Sequence, residues 1–239
     1  MMLPSNWKQV TVNQFIELSE LRESEFGSLF LYNIEILAIL LDTDTDELDE
    51  LEPVKLMELI SQLNWMRHEP SKKAKQKIGS YTLKDLNKIS LGEFIDLEHY
   101  FALDFKVNVT TICAILYRST NTDMWGNVIT EPYIFDINER SKEFHDYDIA
   151  EIYGIIPEYL AFRESIRNAY PNFFAPDIKE DESEMDEEDL EAEKNDTRWG
   201  WERIIFSLAN EDITKVDQVT DLPLIFVLNM LSMKADLKI

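Results

Sequence analysis

Asp42, Asp44 and Asp46 alternate as the first ligands of a calcium loop do, since such a loop supplies oxygen ligands from alternate positions. The pattern also needs a glycine at the sharp turn and a bidentate glutamate at its end. Glu47 and Pro53 occupy those two places. The run therefore reads as a solvated turn whose aspartates cap the next helix and favour its positive end. His68, His99 and His145 are too dispersed to form a metal spacing, and neither a His-Glu-x-x-His sequence nor a cysteine pair occurs. Phosphate-cradling glycine loops and the Gly-x-Ser-x-Gly elbow are likewise missing from the chain. With 47 acidic residues, paired-carboxylate sites could be drawn almost anywhere, and sequence does not say which have a raised pKa. No catalytic, cofactor-binding or metal-binding residue is nominated, and the expectation is a protein that is not an enzyme.

The residue types that remain are those of recognition. Aromatic side chains and arginine are favoured at binding hot spots, which makes Tyr117 and Arg118, with Trp125, Tyr133 and Phe135 nearby, a candidate partner-binding patch. Ordinary aromatic core around a hairpin is the stronger reading of the same cluster. Trp199 and Trp201 are further candidates, with the alternative that they dock the C-terminal segment onto its own domain. The partner-binding set is thus Tyr117, Arg118, Trp125, Trp199 and Trp201.

Composition limits what these residues can serve. A formal charge of −24, from 47 acidic against 23 basic side chains, repels phosphate backbones, so direct nucleic-acid binding is not expected. Hydrophobic residues make up 45% and aromatics 11%, enough for a folded core. Six glycines in 239 residues leave few of the tight turns that all-β folds need, so the fold should be mainly α. The one cysteine, Cys113, lies in an apolar run and suits a reducing compartment. The start Met-Met-Leu-Pro-Ser has no basic and apolar leader pattern, and no long apolar span occurs. These features place the chain in a cytoplasm, away from membranes.

Helical bundle units with a small β-hairpin are expected. Residues 1–70 form an N-terminal helical unit, with helices near 11–24, 28–41 and 53–66. Residues 71–80, with four lysines between Ser71 and Lys77, read as an exposed basic connector. A second helical unit spans 81–176, with helices near 90–102, 106–118, 139–144, 148–153 and 156–169. Trp125-Gly126-Asn127 signals a turn, and Tyr133 to Ile137 is a candidate strand. Asp177 to Glu193 holds eleven acidic residues and one lysine, so 177–196 reads as a disordered acidic segment. Residues 197–239 form a C-terminal helical hairpin. Within this plan Val10-Thr-Val-Asn-Gln-Phe-Ile-Glu-Leu18 can be laid over Ile89-Ser-Leu-Gly-Glu-Phe-Ile-Asp-Leu97. Each copy offers an N-cap hydroxyl with an amide or acid three residues later, the pattern of a capping box. The likeness fits either an internal duplication or two ordinary helix starts.

Three stretches, the Trp7 to Met66 helical unit, Ala114-Ile-Leu-Tyr-Arg118 through Trp125-Gly-Asn127, and Trp199 through Asp212-Ile213 to Leu222-Pro223 and Leu231, carry a resemblance. The chain resembles acidic helical proteins of tailed bacteriophages, including tail assembly chaperones and virion-associated proteins of crAss-like phages. The resemblance implies a helical protein that binds phage structural proteins in the host cytoplasm, with the virion as a second location, and prevents premature assembly. A nucleic-acid mimic or regulator, with carboxylates seated in the basic groove of a polymerase or nuclease, is the alternative.

Overall fold

The computed structural model describes residues 2–126, 128–133, 137–174 and 200–237. The acidic segment, Trp199, Phe135, Asn127 and most of the candidate strand after Tyr133 lie outside the described residues. The fold is mainly α with a small antiparallel sheet. Its chain divides into two compact units, Met1–Lys84 with His99–Leu160, and Asp85–Glu98 with Ala161–Ile239.

The first unit opens with helices Val12–Glu20 (α1), Leu29–Leu41 (α2), Thr45–Asp49 (α3) and Pro53–Ser61 (α4). Thr11 accepts from the Gln14 amide N–H at 3.2 Å while Gln14 Oε1 accepts from the Thr11 N–H at 3.1 Å, a closed capping box. The Gln14 side chain also donates to the Ile39 carbonyl at 2.9 Å, tying the start of α1 to the end of α2. Asp42 ends α2 in the left-handed region, with φ 50°, and closes the helix rather than opening the next one. Asp44 is the residue that caps α3, accepting from the Asp46 N–H at 3.2 Å. The stretch read as a solvated turn thus contains a short helix, which places Leu48 in the core.

Lys77–Ile78 (β1), Tyr81–Leu83 (β2), Tyr117–Thr122 (β3) and Val128–Thr130 (β4) form a meander in the order β1-β2-β3-β4. The basic connector therefore supplies an edge strand. Ile78 is buried, Lys75 pairs with Glu151, and the Lys75 carbonyl accepts from the Tyr117 hydroxyl at 2.6 Å. Between β1 and β2, Gly79 has φ +53° and lies against the Tyr147 hydroxyl, so a side chain there would be both strained and crowded. The units do not divide at residues 71–80, because β2 pairs with β3 and keeps this segment in the first unit. Two further helices, Leu91–Ala102 (α5) and Val109–Leu116 (α6), precede β3. The helix expected over 106–118 ends at Leu116, and Tyr117 and Arg118 belong to the sheet. Ile112 to Leu116 are all fully buried, which makes α6 the centre of this unit's core. Its later helices are Ile137–Lys142 (α7), which occupies the end of the expected strand, and Ile149–Ile152 (α8). Ile155–Ala169 (α9) follows and continues past the unit boundary at Leu160.

In the second unit, Ser90 and Glu93 repeat the capping box: Ser90 Oγ accepts from the Glu93 N–H at 3.2 Å and Glu93 Oε2 accepts from the Ser90 N–H at 2.7 Å. Later come Pro171–Phe174 (α10), Gly200–Leu208 (α11), Val216–Thr220 (α12) and Leu224–Leu237 (α13). Leu91, Phe94, Leu97, Leu224, Val227 and Leu228 form the buried centre.

The likeness between the two capped segments extends to the backbone. In the first unit the Val12 N–H donates to the Tyr147 carbonyl and the Ile149 N–H to the Val10 carbonyl, both at 2.9 Å. In the second, the Leu91 N–H donates to the Leu222 carbonyl at 2.9 Å and the Leu224 N–H to the Ile89 carbonyl at 3.0 Å. Each unit thus has, among the described residues and outside the strands, an isolated antiparallel bridge, Thr11 with Asp148 and Ser90 with Pro223, between an N-cap residue and the start of a helix distant in sequence. The same clasp is built twice.

Candidate protein-binding surface

The clasp in the second unit fixes the beginning of α13 and therefore which sides of that helix are covered. Leu224, Val227 and Leu228 point into the core. Phe226, Met230, Met233 and Leu237 recur at steps of four, three and four along the chain, and they are 51%, 42%, 48% and 59% exposed. That spacing lines them along one side of a helix. From Leu224 to Leu237 only Lys234 and Asp236 carry charge. α13 is therefore apolar on two sides, one packed and one open. Beside it, Ile204 and Leu208 of α11 and Leu231 of α13 line a groove of about 430 Å³, together with Arg203 and Lys234. The row is thus an exposed apolar strip on a strongly charged chain, which makes it a candidate interaction surface.

The sequence-derived candidates fall into different environments. Tyr117 and Arg118 are buried, at 0% and 1% exposure, and present no side-chain surface to a partner. Tyr117 is held by its hydrogen bond to the Lys75 carbonyl, and burial pushes its phenol well above the ordinary value. Arg118 donates to the Ala114 carbonyl, which also accepts from Arg140 at 3.2 Å. Arg140 in turn pairs with Glu131 at 3.1 Å. Two guanidinium groups thus meet the carbonyl end of α6, where positive charge is favoured. The Tyr133 ring covers Arg118 at 4.9 Å. Tyr117 and Arg118 therefore belong to the core, whereas Trp125 of the same cluster does not.

Trp125 is 79% exposed in the turn between β3 and β4, beside Met124 at 86%. Its N–H donates to the Asp123 carboxylate at 2.9 Å, and the Gly126 N–H donates to the Asp123 carbonyl at 3.1 Å. Gly126 takes φ +85°, the conformation that closes this turn. Trp125 is thus presented to solvent on a hydrogen-bonded turn. Trp201 is half-buried and packs edge-on against Phe94 at 5.7 Å and near Phe174 at 6.1 Å, which docks α11 onto its own unit.

The chain matches no family model, no curated protein and no solved structure. Among the described residues no group of three or more His, Cys, Asp or Glu side chains is placed to hold a metal ion, and no helix is long and apolar enough to cross a membrane. The exposed row on α13 was not nominated from sequence. Leu222 to Met233 reads simply as an apolar helix, and nothing local distinguishes its packed residues from its open ones.

Proposed function

We propose that this chain is a non-enzymatic, chaperone-like binding factor that holds an apolar segment of another protein against the open side of α13. The row Phe226, Met230, Met233 and Leu237 carries this reading. Methionine is flexible and polarisable, and surfaces rich in it accommodate varied apolar partners. An amphipathic client helix laid in the adjacent groove would cover the row by the helix-in-groove mode, and the net charge of −24 would keep the pair soluble. The resemblance to phage tail assembly chaperones supplies the client class, phage structural proteins bound in the host cytoplasm. Trp125 is a second anchor for the same class of partner.

The test is affinity capture of the tagged chain from a phage-infected host, beside a variant carrying Phe226→Asp and Met230→Asp. Tail or virion proteins should be enriched by the native chain and lost with the variant, whose helicity is checked by circular dichroism. Enrichment of polymerase or nuclease subunits in their place would replace this reading with a regulatory one.

A further inference from the structure

A cavity of about 340 Å³ opens in the first unit, within the range of about 300–1,000 Å³ typical of small-ligand sites. Its apolar lining includes four aromatic rings, Trp7, Phe15 of α1, Tyr32 of α2 and Tyr153 after α8, beside Leu18, Leu21 and Met66. The rings brace one another, with Trp7 edge-on to Phe15 at 5.8 Å and Phe15 edge-on to Tyr153 at 5.6 Å. Trp7 is also fixed by its indole N–H, which donates to the His68 carbonyl. The walls are therefore held in place before any ligand arrives.

Charge at this cavity runs against the rest of the chain. Arg67, His68 and Lys106 line it and are exposed, against a single acidic residue, Glu69. Overall, acidic residues outnumber basic ones by 47 to 23. Neither Arg67 nor Lys106 has an acidic partner among the described residues. We propose that this cavity binds a ligand combining an aromatic body with a carboxylate, the ring against the wall formed by Trp7, Phe15, Tyr32 and Tyr153 and the carboxylate toward Arg67 and Lys106. Ring stacking and edge contacts hold the body, while guanidinium and ammonium groups supply charge-assisted hydrogen bonds to the anion. A free aromatic acid and the C-terminal residue of a polypeptide both have this chemistry. The site is independent of the α13 row.

Calorimetric titration of the full chain tests it with four probes: phenylpropionate, its neutral alcohol, and a short peptide ending in Phe as free acid and as amide. The acids should saturate the protein and the neutral forms should not. Arg67→Gln with Lys106→Gln should weaken the acid roughly tenfold, while Lys55→Gln, an exposed lysine that does not line the cavity, should leave it unchanged. Saturation by the peptide acid assigns a polypeptide C-terminus, and saturation by phenylpropionate alone assigns a free acid. Absence of binding by both acids at millimolar concentration would overturn the site. Equal binding of acid and neutral forms, or equal weakening by Lys55→Gln, would overturn the role of the two cations.

Discussion

Glu93 Oε2 accepts the Ser90 backbone N–H at 2.7 Å although the Glu93 side chain is fully buried. The carboxylate answers an N–H at the head of α5 that water cannot reach, and it sits at the positive end of the helix. Glu93→Ala removes the acceptor and is expected to cost about 1–3 kcal/mol. Glu93→Gln keeps an acceptor and should cost less. Urea unfolding of both variants measures the difference. Equal loss would mean that charge rather than the hydrogen bond holds the helix start.

Arg118 and Trp125 lie seven residues apart and should respond oppositely to truncation. Arg118→Ala empties a buried volume and removes a cation from the end of α6, so a loss of about 3 kcal/mol is expected. Trp125→Ala removes an exposed side chain and should change stability by no more than about 0.5 kcal/mol. Thermal melts separate the two. If Trp125 anchors a client, the same variant should weaken capture of that client without moving Tm.

Cys113 is fully buried in α6, and burial pushes its thiol well above the ordinary value. A thiol-labelling reagent should leave the native protein unmodified and react once denaturant is added. Labelling at native pH at the rate of the unfolded chain would show that α6 opens freely.

Alkaline pH should destabilise the fold. Burial, followed by the hydrogen bond and charge of Glu143, raises Tyr81 from 10.0 to about 12, and burial also raises Tyr117, Tyr153 and Cys113. Each group ionises at lower pH in the unfolded chain than in the folded one. Above that lower pKa the unfolded state binds fewer protons, so stability falls as pH rises. For Tyr81 the stabilising contribution is complete below pH 10.0 and is lost through about 12. Urea midpoints measured from neutral to alkaline pH should decline, while tyrosinate absorbance, the second readout, rises over the same range. A flat profile would contradict the burial of these phenols.

Two neighbouring indoles give a paired test, since Trp7 and Trp65 rings meet edge-on at 4.9 Å. Trp7 donates to the His68 carbonyl, whereas the buried Trp65 N–H has no hydrogen-bond partner among the described residues. Trp7→Phe loses a bond and leaves a carbonyl without its donor, at about 1 kcal/mol or more. Trp65→Phe removes a polar group that is unsatisfied, which offsets part of the lost packing. The second change should therefore be the milder in a urea melt.

The helix starts at Thr11 and Ser90 were legible in the sequence because a capping box joins residues three apart, and local spacing is all that it requires. The mainly α character followed from composition in the same way. The end of α6 was not legible: Tyr117 and Arg118 continue an apolar helical pattern, and only pairing with β2 draws them into a strand. The Lys72 to Lys77 run misled for a related reason, since lysine favours exposure while the sheet edge needs only backbone groups and the one buried Ile78.

The sequence by itself determined the helix starts at Thr11 and Ser90, the turn around Trp125-Gly126 and the net charge of −24, because each depends on residue type or on neighbours within a few positions. Tertiary structure alone decided that Val10 to Val12 bridges to Tyr147 to Ile149 and that Ile89 to Leu91 bridges to Leu222 to Leu224. Those bonds join backbone groups that nearly every residue possesses, so no side-chain pattern announces them. The same holds for Phe226 and Met230, whose apolar character matches that of Val227 and Leu228. Which of them faces the core depends on the direction from which the rest of the unit packs against α13.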